Sequence, residues 1–133
     1  MDDIELALEW GEGFARDAGT QFRLRRASIE RWVEAGQLFL WDDDGPRSIT
    51  VAQGHTPCGV RIGYVYTPPE WRGRGYAGSC VAAVSQRMLD RGSSFCVLYT
   101  DLSNPTSNEL YKRLGYELIA RARDYDLVPE EAL

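Results

Sequence analysis

The sequence predicts one α/β domain of the α+β kind: a mixed, mostly antiparallel twisted sheet with helices packed on both faces. Three observations carry that reading. Apolar residues recur at helical spacing at the start of the chain, three strand-like segments divided by turns follow, and a glycine-rich loop then opens a further helix.

From Ile4 to Ala18 the residues Leu6, Trp10 and Phe14 recur every four positions beside Ala7 and Ala15, which is one stripe of an amphipathic helix interrupted by Gly11 and Gly13. A second helix is expected from Ser28 as N-cap, apolar Ile29, Trp32 and Val33, and Gly36 as its stop. An antiparallel meander follows: Leu38 to Trp41, a turn through Asp42, Asp43, Asp44, Gly45 and Pro46, then Ser48 to Ala52, a turn near Gly54 to Pro57, and Val60 to Thr67. Ala77, Val81, Val84 and Met88 mark the next helix, which stops at Gly92. Phe95 to Tyr99 reads as a short strand, a helix runs to Leu114 before Gly115, and Tyr116 to Ala120 and Asp124 to Val128 read as two last strands.

With 133 residues, 44% of them hydrophobic, the chain suffices for one sizeable core and not for two. No repeat, linker or low-complexity stretch divides it, so 1–133 is read as one domain. No apolar run approaches the roughly 20 residues that cross a bilayer, and Met1, Asp2 and Asp3 do not begin a secretion signal, so a cytoplasmic protein with no membrane partner is expected. A net charge of −5 lacks the footprint of a nucleic-acid binder and suits a cationic acceptor.

Cys58, Cys80 and Cys96 are odd in number and unpaired in motif, and His55 is the only histidine, so neither a disulfide framework nor a metal site is expected. The acidic triplet is not a calcium loop. With Gly45 at the sixth position, the first and twelfth would be Leu40 and Val51, neither of them a side-chain ligand.

The chemistry gathers at Arg72, Gly73, Arg74, Gly75, Tyr76 and Ala77, between a strand and a helix, where backbone N–H groups and a helix dipole converge on an anion. Glycines let the backbone approach a pyrophosphate, Ala77 lets the helix start pack closely, and two arginines add charge. Neither G-x-x-x-x-G-K-[S/T] nor G-x-G-x-x-G with its ribose-binding acid is present.

A second segment, Asn104, Pro105, Thr106, Ser107, Asn108, Glu109, Leu110, Tyr111, Lys112, Arg113, Leu114, Gly115 and Tyr116, gives that loop a companion. Together they resemble the GNAT superfamily of N-acetyltransferases. Arg72, Gly75 and Ala77 match its [Q/R]-x-x-G-x-[G/A], and Asn104, Ser107, Leu110, Tyr111, Gly115 and Tyr116 match its N-x-x-[A/S]-x-x-L-Y-x-x-x-G-[F/Y]. The resemblance covers roughly 38–128, with the intervening helix and strand in order. The family has a strand before its first two helices, and none is found ahead of Ile4. A GNAT-like sheet without its first strand is therefore expected, from either a divergent start or the C-terminal part of a longer chain.

The resemblance implies acetyl-CoA as co-substrate, no metal, and transfer of acetyl to a primary amine on a small molecule or a protein by direct attack on the thioester. It places Tyr64, Val65, Tyr66 and Thr67 along the pantetheine arm beside a strand that splays away, with a backbone N–H near Val65 for the oxyanion. It makes Tyr111 the acid that protonates the leaving thiolate, and has Asn104 tether the cofactor or shape the loop. Residue by residue, Tyr111 also reads as a packing tyrosine and Asn104 as a helix-start residue.

Glu30, Glu34, Glu70 and Asp101 are candidate bases beside ordinary surface acids, and Trp32, Trp41, Tyr64, Tyr66 and Trp71 candidate acceptor-site rings beside core packing. The alternative function is a non-catalytic acyl-CoA-binding regulatory module, and aromatic edge strands are compatible with a homodimer.

Overall fold

The computed structural model describes residues 2–19, 24–54, 57–100 and 104–119. Two helices, α1 (Asp3–Ala18) and α2 (Arg26–Glu34), precede the meander β1 (Leu38–Asp42), β2 (Pro46–Gln53) and β3 (Gly59–Tyr66). A short 3-10 turn (Pro69–Trp71) leads to α3 (Tyr76–Asp90), β4 (Phe95–Leu98) and α4 (Pro105–Arg113). The sheet order is β1-β2-β3-β4, antiparallel through β3 and parallel between β3 and β4.

Helix α1 starts where Asp2 Oδ1 accepts the Glu5 N–H at 2.8 Å and stops at Gly19 in the left-handed region, φ +66°. Gly11 and Gly13, which weaken a helix, are there for space. A Cβ on Gly11 would stand 2.9 Å from Leu24 Cδ1, and one on Gly13 only 2.2 Å from Tyr66 Oη, so α1 lies directly on the sheet. Helix α2 begins earlier than its sequence suggests. Arg25 is the N-cap and makes no side-chain cap bond, while the Ser28 N–H already bonds the Arg25 carbonyl at 3.1 Å. An Arg26–Glu5 ion pair ties the two helices.

The two sheet faces bury different sets. Ala52, Val60 and Ile62 pack against Cys80, Val81, Val84 and Met88 of α3, with Tyr111 of α4 and its C-cap Leu114 at the margin. On the other face Ile49 and Tyr66 pack against Ala7, Trp10 and Ile29 of α1 and α2. Strand β3 serves both because it carries a bulge. Ile49 pairs with Tyr66 but Val51 with Gly63, so two steps along β2 match three along β3. Tyr64 holds φ +48° there, a conformation rare for a bulky side chain.

Tyr116 to Ala120 departs from expectation. Residues 116–119 are not in a strand, and Leu118 and Ile119 are 61% and 84% exposed, with no ladder partner among the described residues. Asp124 to Val128 lies outside the described residues, as do His55 and Asp101.

Because Gly13 faces Tyr66 Oη, Gly13→Ala is expected to cost about 1–3 kcal/mol by overpacking, against the usual gain of about 0.5–1 kcal/mol for alanine in a helix. A thermal melt checks the sign. The midpoint should fall by several degrees, and Tyr66→Phe, which removes the colliding oxygen, should recover part of the loss.

Candidate active site

The start of α3 is built by a turn that only glycine adopts without strain. Gly73 and Gly75 hold φ of +79° and +82°, and nothing stands within 4 Å of where their Cβ atoms would be. The left-handed backbone, not crowding, requires glycine there. Among the described residues the N–H groups of 73–78 find no acceptor, and the first satisfied one is that of Ser79, on the Gly75 carbonyl at 3.0 Å. A helix always leaves its first N–H groups unpaired; this loop adds more in sequence, at the positive end of the dipole.

Two tethers hold the loop. The Arg72 Nε donates to the Thr67 carbonyl at 2.8 Å, its terminal nitrogen pairs with Asp17 of α1, and its N–H donates to the Pro69 carbonyl. Tyr76 Oη donates to Asp43 at 2.6 Å, joining the helix start to the β1–β2 turn. Arg72 anchors the loop through its Nε and one terminal nitrogen. Arg74 keeps its charge at the loop surface, 5.1 Å from the Trp71 ring, which Arg47 covers at 3.8 Å.

Beside the loop lies an open seam. Strands β3 and β4 pair from Gly59↔Phe95 to Ile62↔Leu98, after which β3 continues to Tyr66 with no described partner on that side. The bulge falls in this unpaired stretch. Val65 packs toward the α3 face, while Tyr64 and Tyr66 turn toward α1 and α2. Thr67 is 8% exposed, and its hydroxyl donates to Ser48 Oγ at 3.0 Å, which in turn donates to the Tyr66 carbonyl at 3.0 Å. The side chain of Thr67 thus braces the strand end rather than facing the seam.

Helix α4 closes the α3 side. Asn104 caps it, with Oδ1 accepting the Ser107 N–H at 3.1 Å, so the helix-start reading of Asn104 describes what its side chain does. Gly78 lets the helices touch, since a Cβ there would meet Leu110 Cδ1 at 2.9 Å. This contact sets Tyr111 at the edge of the cluster that also receives Val65. Its ring meets Tyr116 edge-on at 6.2 Å, and its hydroxyl has no described partner. Burial pushes the Tyr111 phenol above its ordinary value, so the group keeps its proton at neutral pH.

Burial likewise pushes up the Cys80 and Cys96 thiols, and neither is an activated thiolate. Glu30, Glu34 and Glu70 are exposed, and no group of acidic, cysteine or histidine residues among the described residues forms a metal site. Of the candidate acceptor rings, Trp32, Tyr64 and Tyr66 come together on the α1/α2 face, joined by Trp10 and Phe14. Trp41 packs on the opposite face and Trp71 stacks with arginines. The α1 stripe identified Trp10 and Phe14 as buried; that they share a pocket with Tyr64 depended on the bulge.

Residues 50–125 match the family model described as FR47-like protein. The chain belongs to the FR47-like family, within the GNAT superfamily. It is similar to a protein named mycothiol acetyltransferase from Corynebacterium aurimucosum, 32% identical over 107 residues, covering 72% of this chain and 35% of that protein. The chain thus spans about a third of that relative's length. The fold of this FR47-like chain is shared with a putative acetyltransferase from Agrobacterium tumefaciens, TM-score 0.73 at 16% identity over 94% of each chain. It is shared also with a predicted acetyltransferase solved with acetyl-CoA from Clostridium acetobutylicum, TM-score 0.71 at 14% identity over 93% and 90% of the two chains.

Tyr64, Tyr111 and Tyr116 are all pushed up, burial being the first cause of each. A phenol with a folded pKa raised above the unfolded value of about 10 adds stability that is whole below that pH and is lost as pH rises through the folded value. The melting midpoint of this FR47-like domain should therefore drop above about pH 10. Melts across that range should show a smaller drop for Tyr111→Phe; an identical profile would mean the ring is not desolvated.

Proposed function

We propose that this domain binds acetyl-CoA and transfers its acetyl group directly to a primary amine. The observation that carries the reading is the run of unpaired N–H groups at 73–78, opening beside the unpaired end of β3. Diphosphate suits the first, because main-chain donors at a helix start hold anions without a side-chain cation. A linear arm with amides suits the second, because a strand lacking a neighbour offers alternating donors and acceptors. The residues present therefore fit the co-substrate, which supplies an activated thioester.

Within that reading the amides of Gly73, Arg74, Gly75, Tyr76 and Ala77 hold the pyrophosphate and Arg74 adds charge. The backbone from Val65 to Thr67 lies along the arm, and the Val65 N–H is assigned to the oxygen that gains charge as the amine attacks. Arg72 acts through its hold on Thr67, and Asn104 through the cap that orients α4. Tyr111 Oη donates its proton to the departing sulfur as the amine nitrogen, losing a proton to water, takes the acetyl carbon.

Exposure of Glu30, Glu34 and Glu70 favours water over a fixed carboxylate as the path for the amine proton. A small-molecule amine is the preferred acceptor, in keeping with the name of the Corynebacterium relative. No helix among the described residues is long and apolar enough to cross a membrane, and we assign the reaction to the cytoplasm.

Calorimetry with acetyl-CoA, followed by thiol release over an amine panel, tests this. Gly75→Asp should abolish binding while the fold persists, since it puts a strained, negatively charged residue where φ is +82°. Tyr111→Phe should lower kcat by about 10²-fold with little change in acetyl-CoA affinity. Unaltered affinity in the first variant would sink the phosphate cradle. Binding without thiol release from any amine would instead make the domain an acyl-CoA-binding module.

A further inference from the structure

Helix α4 ends on a closed turn that folds one tyrosine back over another. The Tyr116 N–H donates to the Tyr111 carbonyl at 3.0 Å, and the Gly115 N–H donates to the Lys112 carbonyl at 3.0 Å. Gly115 makes the turn possible at φ +104°, a left-handed backbone that glycine takes without strain. In a helix stop of this kind the residue after the glycine packs against the one whose carbonyl it caps. Here those residues are Tyr116 and Tyr111, whose rings meet edge-on at 6.2 Å. Tyr116 thus holds both the main chain and the ring of Tyr111.

Tyr116 is itself held from outside α4. Its hydroxyl shares a hydrogen bond of 2.6 Å with Ser85 Oγ of α3, and the Ser85 carbonyl accepts from Cys96 Sγ of β4 at 3.6 Å. Gly78 against Leu110 and Ser85 against Tyr116 therefore fix α4 on α3 at points about 10 Å apart along the longer helix. A helix of 9 residues such as α4 does not hold its own orientation. One contact leaves it free to roll about its axis; a second at that distance fixes the roll, and with it the direction of the Tyr111 side chain. A phenylalanine at 116 would supply the ring contact, but only the hydroxyl supplies a directional bond to α3.

We propose that Tyr116 is a positioning residue for acetyl transfer: tied to Ser85, it sets the roll of α4 and so aims the Tyr111 hydroxyl at the departing sulfur. The proposal rests on the reading of Tyr111 as the acid and adds what places it. Helix α3 begins at the phosphate loop, so one rigid element locates the pyrophosphate at its start and, through Ser85 and Tyr116, the proton donor further along. A proton donor must come within hydrogen-bond reach of its acceptor, and a displacement of about 1 Å slows the transfer far more than it weakens binding elsewhere.

A double-mutant cycle tests this, with kcat from thiol release and acetyl-CoA affinity from calorimetry. Tyr116→Leu should lower kcat by about tenfold and leave the affinity within about twofold, and Tyr116→Phe should recover part of the rate. Ser85→Ala should match Tyr116→Phe, since each removes the same bond. In a Tyr111→Phe background none of the three should slow the reaction further, because a group that acts through the Tyr111 hydroxyl has nothing to act on once it is gone. A packing role alone would add its loss to that of Tyr111→Phe.

Additive losses, or full rate in either Tyr116→Leu or Ser85→Ala, would overturn the positioning role and leave Tyr111 as the acid. Weakened acetyl-CoA binding in these variants would overturn it as well, by placing their effect in the cofactor site. Full rate in Tyr111→Phe would overturn the acid, and this proposal with it. Should circular dichroism show Tyr116→Leu unfolded, the cycle run on Ser85→Ala and Tyr116→Phe decides the same question, since both keep the two rings in place.

Discussion

The bulge at Tyr64 is the constraint on which the rest of the molecule depends. A regular strand of that length would direct Val60, Ile62, Tyr64 and Tyr66 to one face. One extra residue reverses the phase, so Val60 and Ile62 enter the core under α3 while Tyr64 and Tyr66 wall the space under α1 and α2. The bulge lies where pairing with β4 has ceased, so the distorted backbone is also the exposed one. Core, seam and pocket thus share a single stretch of β3.

That stretch is linked to the phosphate loop through side chains rather than the chain path alone. Arg72 spans from the Thr67 carbonyl to Asp17 of α1, and its guanidinium lies 5.6 Å from the Tyr66 ring. One cation therefore joins the loop, the end of β3 and the helix that roofs the pocket. The Asp17 pair is half exposed and contributes little to stability; what it contributes is position. On the other side Tyr76 secures the first turn of α3 to Asp43, which gives the acidic hairpin a structural role that no calcium site would.

Glycine spacing and helical periodicity were local signals, and they located α1, α3, α4 and the three-strand meander. Helix α2 was displaced at its start because Ser28 resembles a cap while the backbone is already helical from Arg26. The bulge left a trace, since the apolar positions Val60, Ile62 and Val65 change parity, yet parity alone does not say which residue takes the positive φ. Tyr116 to Ile119 shows the limit from the other side. Alternating apolar residues make a strand only when a neighbouring ladder receives them, and Leu118 and Ile119 have none among the described residues.

The sequence by itself determined the glycine turn, the cap at Asn104, the helix carrying Tyr111 and the motif pair that places the chain among GNAT proteins, because each depends on neighbours within a few positions. Only the tertiary structure decided that Arg72 ties the loop to Thr67 and Asp17, that Trp41 and Trp71 lie apart from the aromatic set that Trp10 and Phe14 join, and that β3 runs beside the loop past its last described β4 pair. Those outcomes depend on which distant residues arrive at the same place, and that is settled by packing across the sheet rather than by spacing along the chain.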